Sequence, residues 1–225
     1  RRAWYVPFGL QLLVLFVLGG KLTPILSKAG SKEAPFGRYK GMFARIESEP
    51  FEAERLKALQ ATLGMEKNAR PASHELASFE RILGFVELRY SGLIHLIANV
   101  FLLWDVFCGH ALEKFRARAG KNMRGWFKSL GEIEALSSLG AFAHEHPGYA
   151  FPEVEDGNPR FDAEGLGHPL IPTGRRIGNS IDLPGPGHSL LITGSNMSGK
   201  STWLRSMGLA AVLAQAGAPV CAKKL

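Results

Sequence analysis

One short run in this sequence has residue types and spacing suited to gripping a phosphate: Gly194, four further residues, then Gly199, Lys200, Ser201 and Thr202. Glycines at both ends permit backbone angles and close approaches that a side chain would block, so successive N–H groups can point at phosphate oxygens. An ammonium at Lys200 neutralises terminal phosphates, a hydroxyl at Ser201 is placed to ligate Mg²⁺, and a helix starting here adds its positive end. The spacing is that of a Walker A P-loop. The elements that must position it are legible on both sides. Leu190, Leu191, Ile192 and Thr193 read as a buried strand of a parallel sheet, and Leu204, Met207, Ala211 and Val212 recur at helical spacing after the loop. The alternative is a glycine-rich turn between a strand and a helix, with no ligand.

Between the two glycines stand Ser195, Asn196, Met197 and Ser198. An Asn-Met pair there, followed by Gly-Lys-Ser-Thr, resembles the ATPase domain of the MutS family of DNA mismatch repair proteins. That family usually has Pro where this chain has Ser195 and Gly where it has Ser198. Gly217 with Val220-Cys221-Ala222 is similar to the family's stretch after the P-loop helix, and Gly167-His168-Pro169-Leu170-Ile171 to its His-Pro segment. Tyr149 and Pro152 resemble the junction upstream. The resemblance runs from about residue 130 to the end.

The resemblance implies ATP and Mg²⁺ as cofactors, with Gly194, Ser195, Asn196, Met197, Ser198, Gly199, Lys200, Ser201 and Thr202 binding ATP. Lys200 and Ser201 are then the catalytic residues, and Ser201 the Mg²⁺ ligand. It also implies a homodimer acting on mismatched or branched DNA, and a Walker B carboxylate outside these residues, so that this stretch alone is not expected to hydrolyse ATP. Where the family has an aromatic residue that stacks on adenine, this chain has Arg176, followed by Ile177. A guanidinium can stack on a base, so an adenine contact at Arg176 and Ile177 stands beside a plain surface turn at Arg175-Arg176. The family's Phe-x-Glu mismatch reader is matched only by composition, at Phe85-Val86-Glu87 and Phe151-Pro152-Glu153.

The expected fold is a set of α-helical core segments followed by the start of an α/β P-loop NTPase domain with an incomplete parallel sheet. Residues 1–21 read as a transmembrane helix, because 18 uncharged residues from Ala3 to Gly20 lie between basic ends, with Trp4 and Tyr5 at an interfacial position. A buried core helix is the alternative there, which Pro7 and Gln11 favour. Residues 22–50 read as a juxtamembrane linker, 51–147 as a helical core or lever region, and 148–225 as the N-terminal part of the ATPase domain. Within the helical region, Phe51, Leu56, Leu59 and Leu63 mark one helix, and Leu76, Phe79, Leu83 and Val86 another that Ser73 could cap. Residues 91–119 read as a soluble packed helix, since His95, Asp105 and His110 are costly at bilayer depth; an intramembrane Asp–His site is the alternative. A further helix spans 121–143. His144 and His146 form a His-x-His pair that reads as a polar helix end more readily than as a metal site.

The formal net charge is +7 over 225 residues. Residues 1–50 hold 8 Lys/Arg and 3 Asp/Glu. That excess follows the apolar run, so the positive-inside rule places the following domain in the cytoplasm. A membrane-anchored protein with a cytoplasmic ATPase region is therefore expected, with a membrane-tethered motor or transport ATPase without DNA specificity as the competing function. Cys108 and Cys221 stand too far apart in sequence for a metal or redox motif and fit a reducing compartment.

Overall fold

A computed structural model describes residues 5–30, 36–65, 70–195 and 198–225. It divides the chain into two compact units, residues 1–133 and 134–225. The elements of the first unit are α1 (Tyr5–Gly30), α2 (Phe36–Ser48), α3 (Glu54–Gln60), α4 (Ala72–Glu87), α5 (Leu93–Leu102) and the greater part of α6 (Trp104–Glu145). The second unit contains the end of α6, two strands, β1 (Phe161–Leu166) and β2 (Asn179–Leu183), and α7 (Lys200–Gln215).

The core of the first unit follows from helical spacing. On α6, Phe115, Ala119, Trp126, Leu130 and Ile133 form one stripe, buried against Phe43 and Ile46 of α2, Leu59 of α3, Leu63 just beyond it, and Ala72 and Leu76 of α4. The rings of Phe79 and Phe115 stack with centroids 4.7 Å apart, and Tyr39 meets Phe127 edge-on at 5.1 Å. Glu75, buried in α4, is held by the Arg118 guanidinium at 2.7 Å, which supplies the partner a buried carboxylate requires.

Sequence expectations for this unit are corrected at several places. Within 22–50, residues 22–30 and 36–48 are helical rather than a loosely structured linker: α1 continues to Gly30, and α2 carries Phe43 fully buried into the core. Glycines and prolines in that segment suggested irregular chain, but burial of an amphipathic face outweighs propensity. Ser73 does not cap α4. It lies inside the first turn, where its N–H donates to the Glu47 carboxylate at 2.9 Å and its hydroxyl donates to the same group, so α2 adds an anion at this helix start beside Glu75 of α4 itself.

The 91–119 stretch is not one packed helix. It breaks at Leu103, which has a left-handed φ of 52°, and α5 on its N-terminal side has no buried residue. On the other side, α6 continues for 42 residues through the expected 121–143 helix. The single straight span expected over residues 1–21 is not found. Among the described residues no single helix is long and apolar enough to cross a membrane; α1 bends by 42° between Leu15 and Val17, and the α4–α5 pair is bent by 114°. Trp4 lies outside the described residues.

The second unit is built on β1 and β2, which pair antiparallel with Phe161 opposite Leu183 and Ala163 opposite Ile181. A bulge at Glu164–Gly165 shifts the register before Leu166 meets Asn179, and Gly165 takes a φ of 63° there. Ala163, Leu166 and Ile181 pack on Ala210 of α7 and on Val220 and Ala222. The expected parallel sheet is absent among the described residues, and 190–193 forms no strand. Leu191 is 86% exposed: an extended segment becomes a strand only with a hydrogen-bonding neighbour, and none flanks it. β2 ends at Leu183, and the chain turns after it.

Candidate functional site

The glycine loop leads directly into α7. Gly199 is the residue before the helix and has a left-handed φ of 87°, and Trp203 N–H donates to its carbonyl at 2.9 Å, closing the first turn. Gly194 has a φ of 154°, and a Cβ there would stand 3.0 Å from Ser198 Oγ. Both glycines thus hold backbone angles that a side chain disfavours. Ser198 N–H reaches the Ser195 carbonyl at 3.4 Å. Lys200 Nζ donates to the carbonyls of Gly194 and Ser195, the latter at 2.8 Å, so its ammonium lies over the loop that precedes it. Ser201 and Thr202 follow in the first turn of α7, where Ser201 is exposed. Asn196 and Met197 lie outside the described residues.

These groups fit a phosphate and its metal. Backbone N–H groups at a helix start, a lysine ammonium and a serine hydroxyl form a donor set for an anion, and all stand at the solvent-facing end of α7.

The helix that carries the loop is firmly anchored. Ser206 and Ala210 are buried, Trp203, Met207 and Leu213 pack around them, and Gly217, at φ 81°, ends the helix. Ala218 N–H bonds the Leu213 carbonyl at 2.9 Å and Gly217 N–H the Ala214 carbonyl at 3.0 Å, a Schellman closure. After it the chain bridges Val220 to Ala150 and Lys224 to Glu164, joining β1 and the segment after α6 to the floor beneath α7.

Arg176 has a different position from the loop residues. Its guanidinium donates to the Ile171 carbonyl at 2.7 and 2.9 Å and lies 5.4 Å over the Tyr149 ring. It ties the His-Pro segment to the residues after α6. Ile177 is 80% exposed. The Tyr149 hydroxyl is buried; desolvation, and next the thiol of Cys221, push its pKa up to about 12. This Arg176 clamp escaped the sequence reading, because its acceptors are backbone carbonyls, which carry no sequence signal. The His-x-His pair holds no metal cluster: among the described residues no group of three or more His, Cys, Asp or Glu is placed to bind one. His146 instead bonds the Phe142 carbonyl through Nδ1 at 2.9 Å, at the end of α6.

Residues 190–225 match MutS domain V. The matched segment contains the whole glycine loop, α7 and the buried residues that follow it. Similarity to DNA mismatch repair proteins named MutS reaches further upstream. The chain is 31% identical over 163 residues to MutS of Lactococcus lactis subsp. cremoris, covering 71% of this chain and 18% of that protein. It is 34% identical over 154 residues to MutS of Bradyrhizobium sp., covering 63% of this chain and 16% of that protein. MutS of Chlorobium phaeobacteroides is 39% identical over 100 residues, covering 42% of this chain and 11% of the relative. These likenesses support the MutS family. The chain spans less than a fifth of the length of these curated relatives.

Proposed function

We propose that this chain is part of an ATP-binding, DNA-associated ATPase that resembles the mismatch repair protein MutS and works as a nucleotide-driven homodimer on mismatched or branched DNA. The observation that carries this reading is the coincidence of the domain V match with a glycine loop whose lysine lies over it at the start of an anchored helix.

In this reading residues 194–202 form a P-loop. Mg²⁺ and ATP supply the charge neutralisation and the leaving group of phosphoryl transfer when bound. Lys200 would give up its two carbonyl acceptors for phosphate oxygens, the Ser201 hydroxyl would hold the metal, and the N–H groups at the start of α7 would hold the anion. Of the two residues expected near adenine, Ile177 has the free side chain and offers an apolar face to a base. Arg176, already bonded to Ile171 and packed on Tyr149, positions that segment.

The decisive experiment is ATP turnover by the full-length protein with no DNA and with homoduplex, mismatched and branched DNA, at low and high salt. Stimulation that depends on DNA structure and weakens with salt supports the reading. Turnover indifferent to every DNA overturns the DNA part and favours a second reading, a membrane-tethered P-loop motor or transport ATPase with its nucleotide site in the cytoplasm. The observation that favours the second reading is the exposed apolar face of α1, with Leu10, Leu13 and Val17 open to the surroundings.

A further inference from the structure

In the first unit, α1 lies against α4 and α5, and the surface that α1 and α5 share is apolar. Leu93 and Phe101 are 71% and 70% exposed, with Ile94, Leu96, Ile97 and Leu102 beside them on α5 and Leu10, Leu13 and Val17 on α1. An apolar patch of this kind marks a partner or a membrane.

The polar groups decide between the two. Apart from the exposed Lys21, the polar side chains described on the pair are bonded inward or back to their own helix. Gln11 of α1 donates to the Val100 carbonyl of α5. His95 and Asn99, the polar residues of α5, both turn to the buried Asp105, at 3.0 and 3.3 Å, and Asn99 Oδ1 accepts the Asp105 N–H at 3.0 Å. Arg89 pairs with the same carboxylate at 3.5 Å and donates to Thr23 of α1 at 3.3 Å. Thr23 and Ser27 donate to the carbonyls of Gly19 and Pro24 on α1. A protein partner usually meets polar groups with polar groups around a patch. Hydrocarbon offers none, so every polar group must be satisfied within the structure. The charge agrees: residues 1–50 carry 8 Lys/Arg against 3 Asp/Glu, and Lys21 on α1 is exposed next to the apolar stretch. That complements anionic headgroups.

We infer that the α1–α5 face seats in the surface of an anionic phospholipid bilayer, with α5 entering the acyl boundary beside α1. This rests on the membrane reading and extends it to a second element. Ten residues of helix span about 15 Å, half of a hydrocarbon core, so α5 dips into one leaflet and returns at the Leu103 break. The cluster around Asp105 is the latch that keeps the polar atoms of α5 on its protein side. Tyr90 and Phe107, both exposed at the two ends of this stretch, lie at the headgroup level.

The test uses full-length protein with a single environment-sensitive label at Leu13→Cys, Ile97→Cys or Glu134→Cys, the native Cys108 and Cys221 being buried. Vesicles of phosphatidylcholine and phosphatidylglycerol carry nitroxides along the acyl chain. Quenching at positions 13 and 97 but not at 134 is the expected result. Quenching at 13 alone overturns the inference and leaves the membrane reading standing. No quenching at either position removes both, and self-quenching between labels at 97 would assign the face to a second copy. As a second measure, Ile97→Glu is expected to lower vesicle partitioning by about tenfold or more, with unchanged helicity; unchanged partitioning overturns the inference.

Discussion

Lys200 is the residue on which the nucleotide reading is most exposed to test. Its ammonium is bonded to the Gly194 and Ser195 carbonyls, the acceptors that a phosphate would replace in that reading. Lys200→Ala is expected to lower turnover of the full-length protein by about 10²–10³-fold, measured as steady-state phosphate release. Unchanged nucleotide binding by this variant would remove the P-loop assignment. Tyr149 carries a pH prediction. Its folded pKa of about 12 stands above the ordinary 10.0, so between those values the unfolded chain has lost a proton that the folded chain keeps. Stability contributed by Tyr149 is therefore complete below pH 10 and declines as pH rises through that window. Unfolding midpoints measured at about pH 9 and about pH 11 should fall less for Tyr149→Phe than for the parent. Residue types and spacing made the glycine loop legible, since glycine, lysine and serine at those intervals have few other uses. They could not show that Arg176 is held by the Ile171 carbonyl, because any residue would present the same acceptor.

At the scale of elements, apolar spacing was informative wherever a helix packs on the core. The α6 stripe of Phe115, Ala119, Trp126, Leu130 and Ile133 and the Leu76 and Leu83 positions of α4 are buried as their intervals imply. It misled where exposure, not periodicity, sets the outcome: α5 is apolar enough for a core and lies outside it. The Leu103 break has no glycine or proline to announce it. Strand 190–193 failed for a different reason, since a strand is a property of a pair and the sequence of one member cannot supply the other. Trp126→Ala, in the middle of the stripe, is expected to cost about 3–5 kcal/mol, read by chemical denaturation. Gly64 closes the turn after α3 with a φ of 92°, and a Cβ there would meet the Arg70 carbonyl at 2.6 Å. Gly64→Ala should cost about 1–3 kcal/mol; an unchanged midpoint would show that the turn can relax.

For the whole molecule, the formal charge of +7 is distributed unevenly, with the excess in the first 50 residues. Salt should therefore act on two processes separately. Raising it weakens vesicle binding through the N-terminal region and weakens any DNA stimulation of turnover. Co-flotation and turnover measured on the same preparation should lose their salt sensitivity independently when Lys21→Gln is introduced, with vesicle binding alone affected. The Glu47–Ser73 contact has a consequence for the start of α4. A helix normally carries its start signal in its own sequence, but the carboxylate that accepts the Ser73 N–H at the beginning of α4 belongs to a residue 26 positions earlier in the chain. A peptide covering only 72–87 lacks that contact and is expected to fray more at its first turn than α4 does in the whole chain. Amide exchange at Ser73 should therefore respond to Glu47→Gln, a substitution outside α4.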